Sequence, residues 1–255
     1  MLRRFLALLA LAGSLAAQQR IRVLTYNTHH SEGADAKIDL ERIAQVIKAA
    51  DPDLVALQEI DVRNTRSGGV DQARELGCLT GLHVVFGRTI PYRGGLYGNA
   101  VLSRWPIDGF VNWDFPFTPG REARAVIEIS KVPVGAGAWF HFLATHLDTT
   151  EPDRLLAAAH LKKLVSERPE GWPMILAGDL NAAPGSKTMN ALFEDWTSAE
   201  LGEPLFTFPA GNPTRQIDFI LFRPAARWKV AEVRVIEESV ASDHRPLLAV
   251  LELLP

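Results

Sequence analysis

Residues 174–181 read Met-Ile-Leu-Ala-Gly-Asp-Leu-Asn, an apolar run that ends in a carboxylate and a carboxamide. A short apolar run of this kind is typical of a strand that is buried on both faces. Asp179 and Asn181 therefore fall where a strand ends, and strand ends are where α/β sheets bind their ligands. Taken alone, the two side chains fit an Asx-turn or a helix cap as well as they fit catalysis. The stretch predicts a sheet-based fold, and its functional meaning depends on the rest of the chain.

Further segments place polar groups beside apolar runs in the same way. They are Tyr26-Asn27, Gln58-Glu59, Thr145-His146-Leu147-Asp148, Gln216-Ile217-Asp218 and Ser242-Asp243-His244. Singly, each has an ordinary explanation: Glu59 as a solvated loop residue, His146 as a hydrogen-bonded structural histidine, Asp218 as a strand-edge charge. Asp243 beside His244 fits a surface turn. Together, Glu, Asp, Asn and His are the ligand set of a hard divalent cation combined with groups that transfer protons.

Between these segments the chain alternates short strands with a few helices. Strands are predicted at residues 21–26, 54–58, 99–103, 123–130, 138–145, 174–177, 217–222 and 247–251. A helix is predicted over 38–50, where apolar residues recur at helical spacing, and another over about 152–168, with Pro152 in its first turn. The strands within 123–145 read as a hairpin. Hairpins and helices in one chain favour a mixed sheet over a purely parallel one.

The composition fits one soluble α/β domain. The chain has 255 residues, of which 47% are hydrophobic and 22% charged, and its net charge is −3. A dedicated nucleic-acid-binding protein would carry a strongly basic face, and no basic excess is present. The charge weakens a nuclease interpretation without excluding it, because a local basic groove can lie on an acidic protein.

The first residues resemble an export signal. Arg3 and Arg4 precede an apolar run at 5–12, and small residues follow at 13–17. This pattern predicts a signal peptide over 1–17, cleaved after Ala16 or Ala17, and hence a periplasmic or secreted protein. The run is shorter than the ~20 residues of a membrane span, so no transmembrane segment is expected in the mature chain. An uncleaved anchor is the alternative.

Cys78 is the only cysteine, so an intramolecular disulfide and a thiolate metal site are both excluded. The residues before it, 70–77, have a helix-like pattern. We therefore expect Cys78 to be a small buried residue and not a nucleophile.

Seven motifs, taken together and in order, resemble the endonuclease/exonuclease/phosphatase superfamily, whose fold is that of deoxyribonuclease I. They are Thr25-Tyr26-Asn27, Leu57-Gln58-Glu59, Tyr97-Gly98-Asn99, Thr145-His146-Leu147-Asp148, Gly178-Asp179-Leu180-Asn181, Ile217-Asp218-Phe219-Ile220 and Ser242-Asp243-His244-Arg245-Pro246. The resemblance covers residues 20–254, and the fifth and seventh motifs are the most specific. It implies one catalytic domain over 20–255 with an α/β fold, a four-layer α/β/β/α sandwich of two mixed sheets flanked by helices.

The resemblance also implies a metal centre. Glu59 matches the principal ligand, with Asn27 beside it and Asp243 contributing. Mg²⁺ is expected because it prefers oxygen ligands and is often held by one or two carboxylates. Mn²⁺ is the closest alternative and Ca²⁺ the next. Zn²⁺ fits less well, because a zinc site needs more His or Cys ligands than the motifs bring together.

The remaining motif residues take catalytic roles in that resemblance. Asp179 orients or deprotonates the attacking water, and Asn181 fixes the phosphate or that water. His146 and His244 bind the non-bridging oxygens or assist the leaving group. Asp218 holds His244 in one tautomer and favours its protonated form. Water attacks phosphorus directly, without a covalent intermediate.

Four further residues lie in or beside these motifs. Asn99 matches a motif position for substrate binding or structural support near the site. Asp148 follows His146 by two, so on a continuing strand it would share the same face and support it. Arg63 and Arg66, in a glycine-containing loop after Glu59, either bind a substrate phosphate or are solvated. Weaker phosphate-binding candidates are Arg93, Arg121 and Arg124.

The sequence thus predicts an exported Mg²⁺-dependent hydrolase of phosphoric esters, a phosphodiesterase or phosphatase. A phospholipid headgroup, another small organophosphate, an inositol or sugar phosphate and a nucleic acid all stay open as substrates, and a secreted nuclease is the main alternative. No stable protein partner is implied. A catalytically inactive binding protein is disfavoured because the set of chemical groups is complete. A serine hydrolase is disfavoured because no Gly-x-Ser-x-Gly motif is present.

Overall fold

The computed structural model describes residues 20–135 and 137–254 of the chain. The predicted signal peptide at 1–17 lies outside the described residues. Within the described residues, no helix combines the length and the apolar character that crossing a membrane requires.

The described residues form twelve strands and four α-helices. The strands are β1 Arg20–Asn27, β2 Leu54–Val62, β3 His83–Tyr92, β4 Gly95–Ser103, β5 Phe110–Asp114, β6 Ala125–Pro133, β7 Trp139–His146, β8 Met174–Asp179, β9 Thr197–Ser198, β10 Asp218–Arg223, β11 Trp228–Val235 and β12 Leu247–Leu253. The helices are α1 Leu40–Ala50, α2 Gln72–Thr80, α3 Glu151–Ser166 and α4 Lys187–Leu192. Every predicted strand and both predicted helices are present, whereas β3, β5, β9, β11 and α4 are not predicted by the sequence patterns.

The strands form two six-stranded mixed sheets. The first has the order β11-β12-β1-β2-β4-β3 and the second β5-β6-β7-β8-β10-β9. Each sheet contains one parallel pair connected by a helix, β1-α1-β2 in the first and β7-α3-β8 in the second. The other named pairs are antiparallel. The prediction of two mixed sheets is confirmed.

The main core lies between the two sheets. Val23 and Ala56 of the first sheet pack in one buried cluster with Phe142, Ala177 and Ile220 of the second. Helices α1 and α2 cover the outer face of the first sheet, and α3 and α4 cover that of the second. This order of layers is the predicted α/β/β/α sandwich.

Helix α1 shows how the local sequence produces this packing. The Asp39 side chain accepts the Arg42 N–H at 2.9 Å and caps the first turn. Ile43 and Ile47, four residues apart, are fully buried against the sheet. Asp51 adopts the left-handed conformation that ends the helix.

The prediction that Cys78 is buried is wrong. Cys78 lies in α2, as the helix-like pattern indicates, but its side chain is exposed. Ala73, Leu76 and Gly77 form the buried stripe of this helix, and Cys78 lies outside that stripe.

The register of the sheets places the polar groups of the motifs at one edge of the sandwich. His146, the last residue of β7, pairs with Asp179 at the end of β8, and Asp179 pairs with Asp218 at the start of β10. Close approach of β7 and β8 depends on Gly178, where a Cβ atom would lie 2.0 Å from the Thr145 carbonyl oxygen. The strand-end positions predicted for these residues are thereby adjacent in space.

Candidate active site

Asp179, Asp218 and His244 meet in a buried cluster. The His244 Nδ1 atom lies 2.9 Å from Asp218 Oδ2, and its Nε2 atom lies 3.7 Å from Asp179 Oδ2. The Thr207 hydroxyl donates to the same Asp218 oxygen at 2.5 Å. Because an ionised carboxylate only accepts hydrogen bonds, His244 Nδ1–H donates to Asp218 and the Nε2 side of the ring faces Asp179.

The cluster shifts the pKa values of its members strongly. Burial raises the pKa of Asp179 to about 7, and the negative charge of Asp218 adds to the effect. Burial alone would lower the pKa of His244, but the charge and hydrogen bond of Asp218 outweigh it and raise that pKa to about 10. Near neutral pH, a protonated His244 therefore lies beside a carboxyl group that can take up and release a proton.

His146 is held as a neutral hydrogen-bond donor. Arg124 Nη1 lies 3.1 Å from His146 Nδ1, and the Asn181 amide nitrogen lies 3.0 Å from Nε2. Both neighbours are donors, and a neutral imidazole accepts at only one nitrogen. Because a guanidinium has no acceptor atom whereas an amide group has one, we assign the acceptor to Nδ1 and the ring proton to Nε2. Burial lowers the pKa of His146 well below its ordinary 6.5, and the charge of Arg124 lowers it further. His146 Nε2 is 3.4 Å from Asp179 Oδ2. Arg124, a weak phosphate-binding candidate in the sequence, thus fixes the tautomer of His146.

Asn27 connects the two sheets at the site. Its amide nitrogen donates to Asp179 Oδ2 at 3.0 Å and to Glu59 Oε1 at 3.2 Å. Its amide oxygen accepts the His29 N–H at 3.1 Å and keeps a second lone pair, the one that could bind a cation. Asn27 therefore links the carboxylate predicted to bind metal with the carboxylate predicted to bind water.

Glu59 lies on an irregularity of β2. The register of β2 against β4 shifts between Leu57 and Ile60. Glu59 has φ 61°, a left-handed conformation that is uncommon for a residue other than glycine. Bulges of this kind redirect a side chain at a sheet end. The bulge thus turns the side chain of Glu59, the predicted metal ligand, out of the regular pairing of β2 with β4.

His29 and His30 lie next to Glu59, and they are not among the site residues that the sequence patterns predict. One ligand-type atom from each of His29, His30 and Glu59 lies within 4.8 Å of the others. Burial lowers the pKa of His30, and the positive charge of Arg66 adds to this effect. The sequence feature that could have identified them is the histidine pair that begins two residues after Asn27.

The donor groups suit a divalent cation. Glu59 with its two histidines and the Asp179–Asp218–His244 cluster are two separate groups of ligand-type atoms. Among the described residues, His30 Nδ1 and Asp218 Oδ1 are buried without a hydrogen-bond partner. Such orphaned atoms cost free energy unless another partner is supplied. Neither group includes Asp243, which is half-buried beside His244.

Asn181 joins the site, whereas Asp148 does not. The Asn181 N–H donates to Asp179 Oδ1 at 2.8 Å, and its side-chain amide donates to the Leu147 carbonyl at 3.0 Å. The expectation that Asp148 continues the strand face of His146 is wrong, because β7 ends at His146. Asp148 instead accepts hydrogen bonds from Arg121 at 2.8 Å and from Thr150 at 2.7 Å.

The predicted substrate-binding residues have different surroundings. Arg66 is paired with the buried Asp61 through two bonds of 2.8 and 2.9 Å and stacks over Tyr92. Arg63 is exposed. Asn99 is buried and donates to the Ala125 carbonyl at 3.2 Å, which is the supporting contact that the sequence left open. Arg63 is therefore the better placed of the two arginines to meet a ligand.

Comparison with protein families gives one match over most of the chain. The model of the Endonuclease/Exonuclease/phosphatase family matches residues 24–244. The uncharacterized protein YbhP of Escherichia coli K12 is 30% identical over 249 residues, covering 92% of this chain and 98% of YbhP.

Solved structures share the fold. An endonuclease/exonuclease/phosphatase from Beutenbergia cavernae has a TM-score of 0.72 at 25% identity, covering 92% of this chain and 72% of the other. The mannosyl-6-phosphatase Bt3783 of Bacteroides thetaiotaomicron has a TM-score of 0.73 at 19% identity, covering 91% and 99%. At 19% identity the second likeness concerns the fold alone.

Proposed function

The chain belongs to the endonuclease/exonuclease/phosphatase family, and on that premise we propose that it is an exported, divalent-metal-dependent hydrolase of phosphoric esters. The observation that carries the proposal is the buried cluster in which His244 lies between Asp218 and Asp179 at 2.9 and 3.7 Å. An imidazole held by one carboxylate beside a second, proton-exchanging carboxyl group is suited to general acid–base chemistry.

In the proposed reaction, water attacks phosphorus directly. Asp179 accepts a proton from the water as its oxygen bonds to phosphorus and the bond to the leaving oxygen breaks. The Asn27 amide and the Asn181 N–H hold the Asp179 carboxylate in place. Neutral His146 donates a hydrogen bond to a phosphoryl oxygen, where negative charge develops, and protonated His244 gives its proton to the leaving oxygen as that bond breaks.

A divalent cation completes the proposed chemistry. Glu59 and Asn27 would hold it, and Asp243 is the third ligand that the sequence predicts; the sequence favours Mg²⁺, with Mn²⁺ as the alternative. When bound, such an ion polarises a phosphoryl oxygen and neutralises charge in the transition state.

We favour a small phosphoric ester over a nucleic acid as the substrate. The net charge of −3 is opposite to that of a dedicated nucleic-acid-binding protein. Sugar phosphates and phospholipid headgroups both belong to this class, and a Bacteroides protein of the same fold is a mannosyl-6-phosphatase. A secreted nuclease is the alternative that the experiment below separates.

The proposal is tested by hydrolysis of a substrate panel. The purified chain lacking residues 1–17 would be incubated with a bis-aryl phosphate, an aryl phosphate, a sugar phosphate, a choline phospholipid and plasmid DNA, each with Mg²⁺ and with chelator. Chelator-sensitive cleavage of a small ester is the expected result. Preferred cleavage of DNA would establish the nuclease instead, and no cleavage by folded protein with Mg²⁺ or Mn²⁺ would refute the proposal.

Export is a separate part of the proposal. The expectation is that the full-length chain, expressed in a Gram-negative host, is recovered from the periplasm or medium with an N-terminus after Ala16 or Ala17. Full-length protein in the cytoplasm, with Met1 retained, would refute it.

A further inference from the structure

His29 and His30 follow β1 directly and share the site edge with Glu59. A ligand atom from each of these three residues lies within 4.8 Å of the other two. Two ligands on one cation are at most about 4.2 Å apart, twice the ~2.1 Å metal–nitrogen distance. The observed separation exceeds this limit by at most about 0.6 Å, so the three residues lie close enough to share one ion.

The hydrogen bonds of His29 leave one nitrogen free to bind metal. Its Nδ1 atom lies 3.2 Å from the Glu32 carbonyl oxygen. A carbonyl oxygen only accepts, so the proton is on Nδ1 and Nε2 carries a lone pair. A metal-bound histidine typically donates its second nitrogen to a carbonyl or carboxylate in this manner.

In His30 the roles of the two ring nitrogens are reversed: Nε2 contacts an acceptor and Nδ1 is the free nitrogen. Its Nε2 atom lies 3.4 Å from the Glu32 carboxylate, which orients the Nε2–H. Its Nδ1 atom is buried and has no hydrogen-bond partner among the described residues, and the whole residue is only 7% exposed. A buried lone pair without a donor is the position where a cation would satisfy the ring.

We propose that His29 and His30 bind a divalent cation together with Glu59, and that this centre therefore binds Zn²⁺ more tightly than Mg²⁺. Two imidazoles and one carboxylate form a ligand set that suits zinc, whereas Mg²⁺ prefers oxygen ligands alone. The proposed function requires a divalent cation, and this ligand set indicates which class of ion the site prefers. Binding of the ion does not depend on the proposed function, whereas a role of the bound ion in catalysis does.

The backbone is consistent with a built site. His29, His30 and Glu59 have φ values of 47°, 44° and 61°. Left-handed conformations at residues other than glycine cost free energy and occur preferentially at ligand-binding positions.

The test is X-ray absorption at the zinc edge with the chelator-treated protein lacking residues 1–17 and one equivalent of Zn²⁺, without substrate. Two imidazole scatterers are expected for the wild type. The single variant His29→Gln should show one, and the double variant His29→Gln/His30→Gln none or a weaker site, with Zn²⁺ affinity reduced at least ~10-fold by calorimetry. Because His29 is only half-buried, the single variant is expected to fold. It therefore tests the inference even if the double variant misfolds.

The matched control is His83→Gln, which changes an exposed histidine on β3 and should leave both readouts unchanged. A wild-type spectrum with fewer than two imidazoles, equal affinities for Zn²⁺ and Mg²⁺, or an unaltered spectrum in His29→Gln would overturn the inference. Because binding is measured without substrate, a protein that binds zinc through two imidazoles and hydrolyses nothing would refute the proposed function alone.

Discussion

Asp179 combines full burial with a large number of donors. Three donors surround its Oδ2 atom, namely the Asn27 amide at 3.0 Å, His146 Nε2 at 3.4 Å and His244 Nε2 at 3.7 Å. Burial nevertheless raises its pKa to about 7, so this carboxyl group can both hold and accept a proton near neutrality. The surrounding donors thus hold Asp179 in one orientation, while its carboxyl group can still exchange a proton.

Asp179→Asn should reduce turnover by roughly 10²–10⁴-fold, because an amide of the same shape cannot accept the proton of water. The circular dichroism spectrum should be unchanged. Asp108→Asn, at an exposed aspartate, is the matched control and should retain wild-type rates. Activity of Asp179→Asn within a few fold of wild type would show that the base is elsewhere.

Arg124 acts on the reaction through His146. Arg124→Met removes the donor at Nδ1 and the charge that lowers the pKa of His146, so this pKa should rise and the Nε2–H tautomer should lose its preference. We expect a roughly 10–100-fold loss of turnover, the usual effect of losing an orienting partner. A ¹⁵N NMR titration of the His146 ring tests this directly. An unchanged tautomer and pKa would contradict the positioning role.

The strand-end rule identifies the site residues that belong to motifs, such as Asp179 and His244. It does not identify residues that act through lateral contacts. Arg124 directly precedes β6 and contacts His146 at the end of the neighbouring β7. The pairing of Arg66 with Asp61 depends on the conformation of the loop after β2. His29 and His30 are adjacent to a motif, but they come from a different strand end than Glu59, so their proximity to it depends on the tertiary structure.

At Gly178, directly before the catalytic Asp179, β8 leaves no room for a side chain next to β7. In Gly178→Ala, the new Cβ would lie 2.0 Å from the Thr145 carbonyl oxygen, which is backbone and cannot move aside. We expect the free energy of unfolding to fall by roughly 1–3 kcal/mol, measured by urea denaturation. Gly109→Ala, where a Cβ meets open space, should change it by less than about 0.5 kcal/mol. Equal stabilities of the two variants would contradict this account of the pairing.

Glu128 connects β6 to β7, to the segment after α3 and to β5 by bonding to His141 at 2.7 Å, Arg168 at 2.8 Å and Trp113 at 2.9 Å. Burial alone would raise the pKa of Glu128, but the hydrogen bonds from His141 and Trp113 and the charge of Arg168 outweigh it and lower this pKa. A lowered pKa in the folded state contributes stability above the ordinary value of 4.5, and this contribution is lost as the pH falls through the folded-state value.

Glu128→Gln should therefore be less stable than wild type at pH 7, by roughly 1–3 kcal/mol. The difference in free energy of unfolding should shrink as the pH falls below 4.5. Urea denaturation of both proteins across this range measures the difference. A gap that does not depend on pH would show that the charge of Glu128 is not stabilising.

Elements with a continuous apolar run or a clear helical stripe can be predicted from the sequence, as β8 and α1 show. After the buried Trp228, β11 consists of exposed and half-buried residues, and β3 is half-buried along most of its length, with an apolar run of only three residues. Strand β9 has two residues and α4 six, too few for a period to be recognised. These elements are defined by their partners in the sandwich.

The site exists only because the two sheets pack together. Asn27 and Glu59 come from the first sheet, and Asp179 and Asp218 come from the second. The contact between them is the Asn27 amide, which bonds to carboxylates of both sheets. Local sequence patterns predict the separate strands, but the pairing of two sheets face to face followed from the family resemblance. Any change that moves one sheet against the other is expected to separate the metal group from the acid–base group.

The most direct test of this account compares hydrolysis of a bis-aryl phosphate by wild type, Asp179→Asn and Asp108→Asn, each stripped with chelator and then titrated with Mg²⁺, Mn²⁺ or Zn²⁺. If Asp179 is the base of a metal-assisted site, turnover by wild type and Asp108→Asn should be lost with chelator and restored by a divalent cation. No cation should restore the turnover of Asp179→Asn above roughly a hundredth of the wild-type rate. Turnover that survives chelation, or that Asp179→Asn retains, would contradict a metal-assisted site built around this carboxylate.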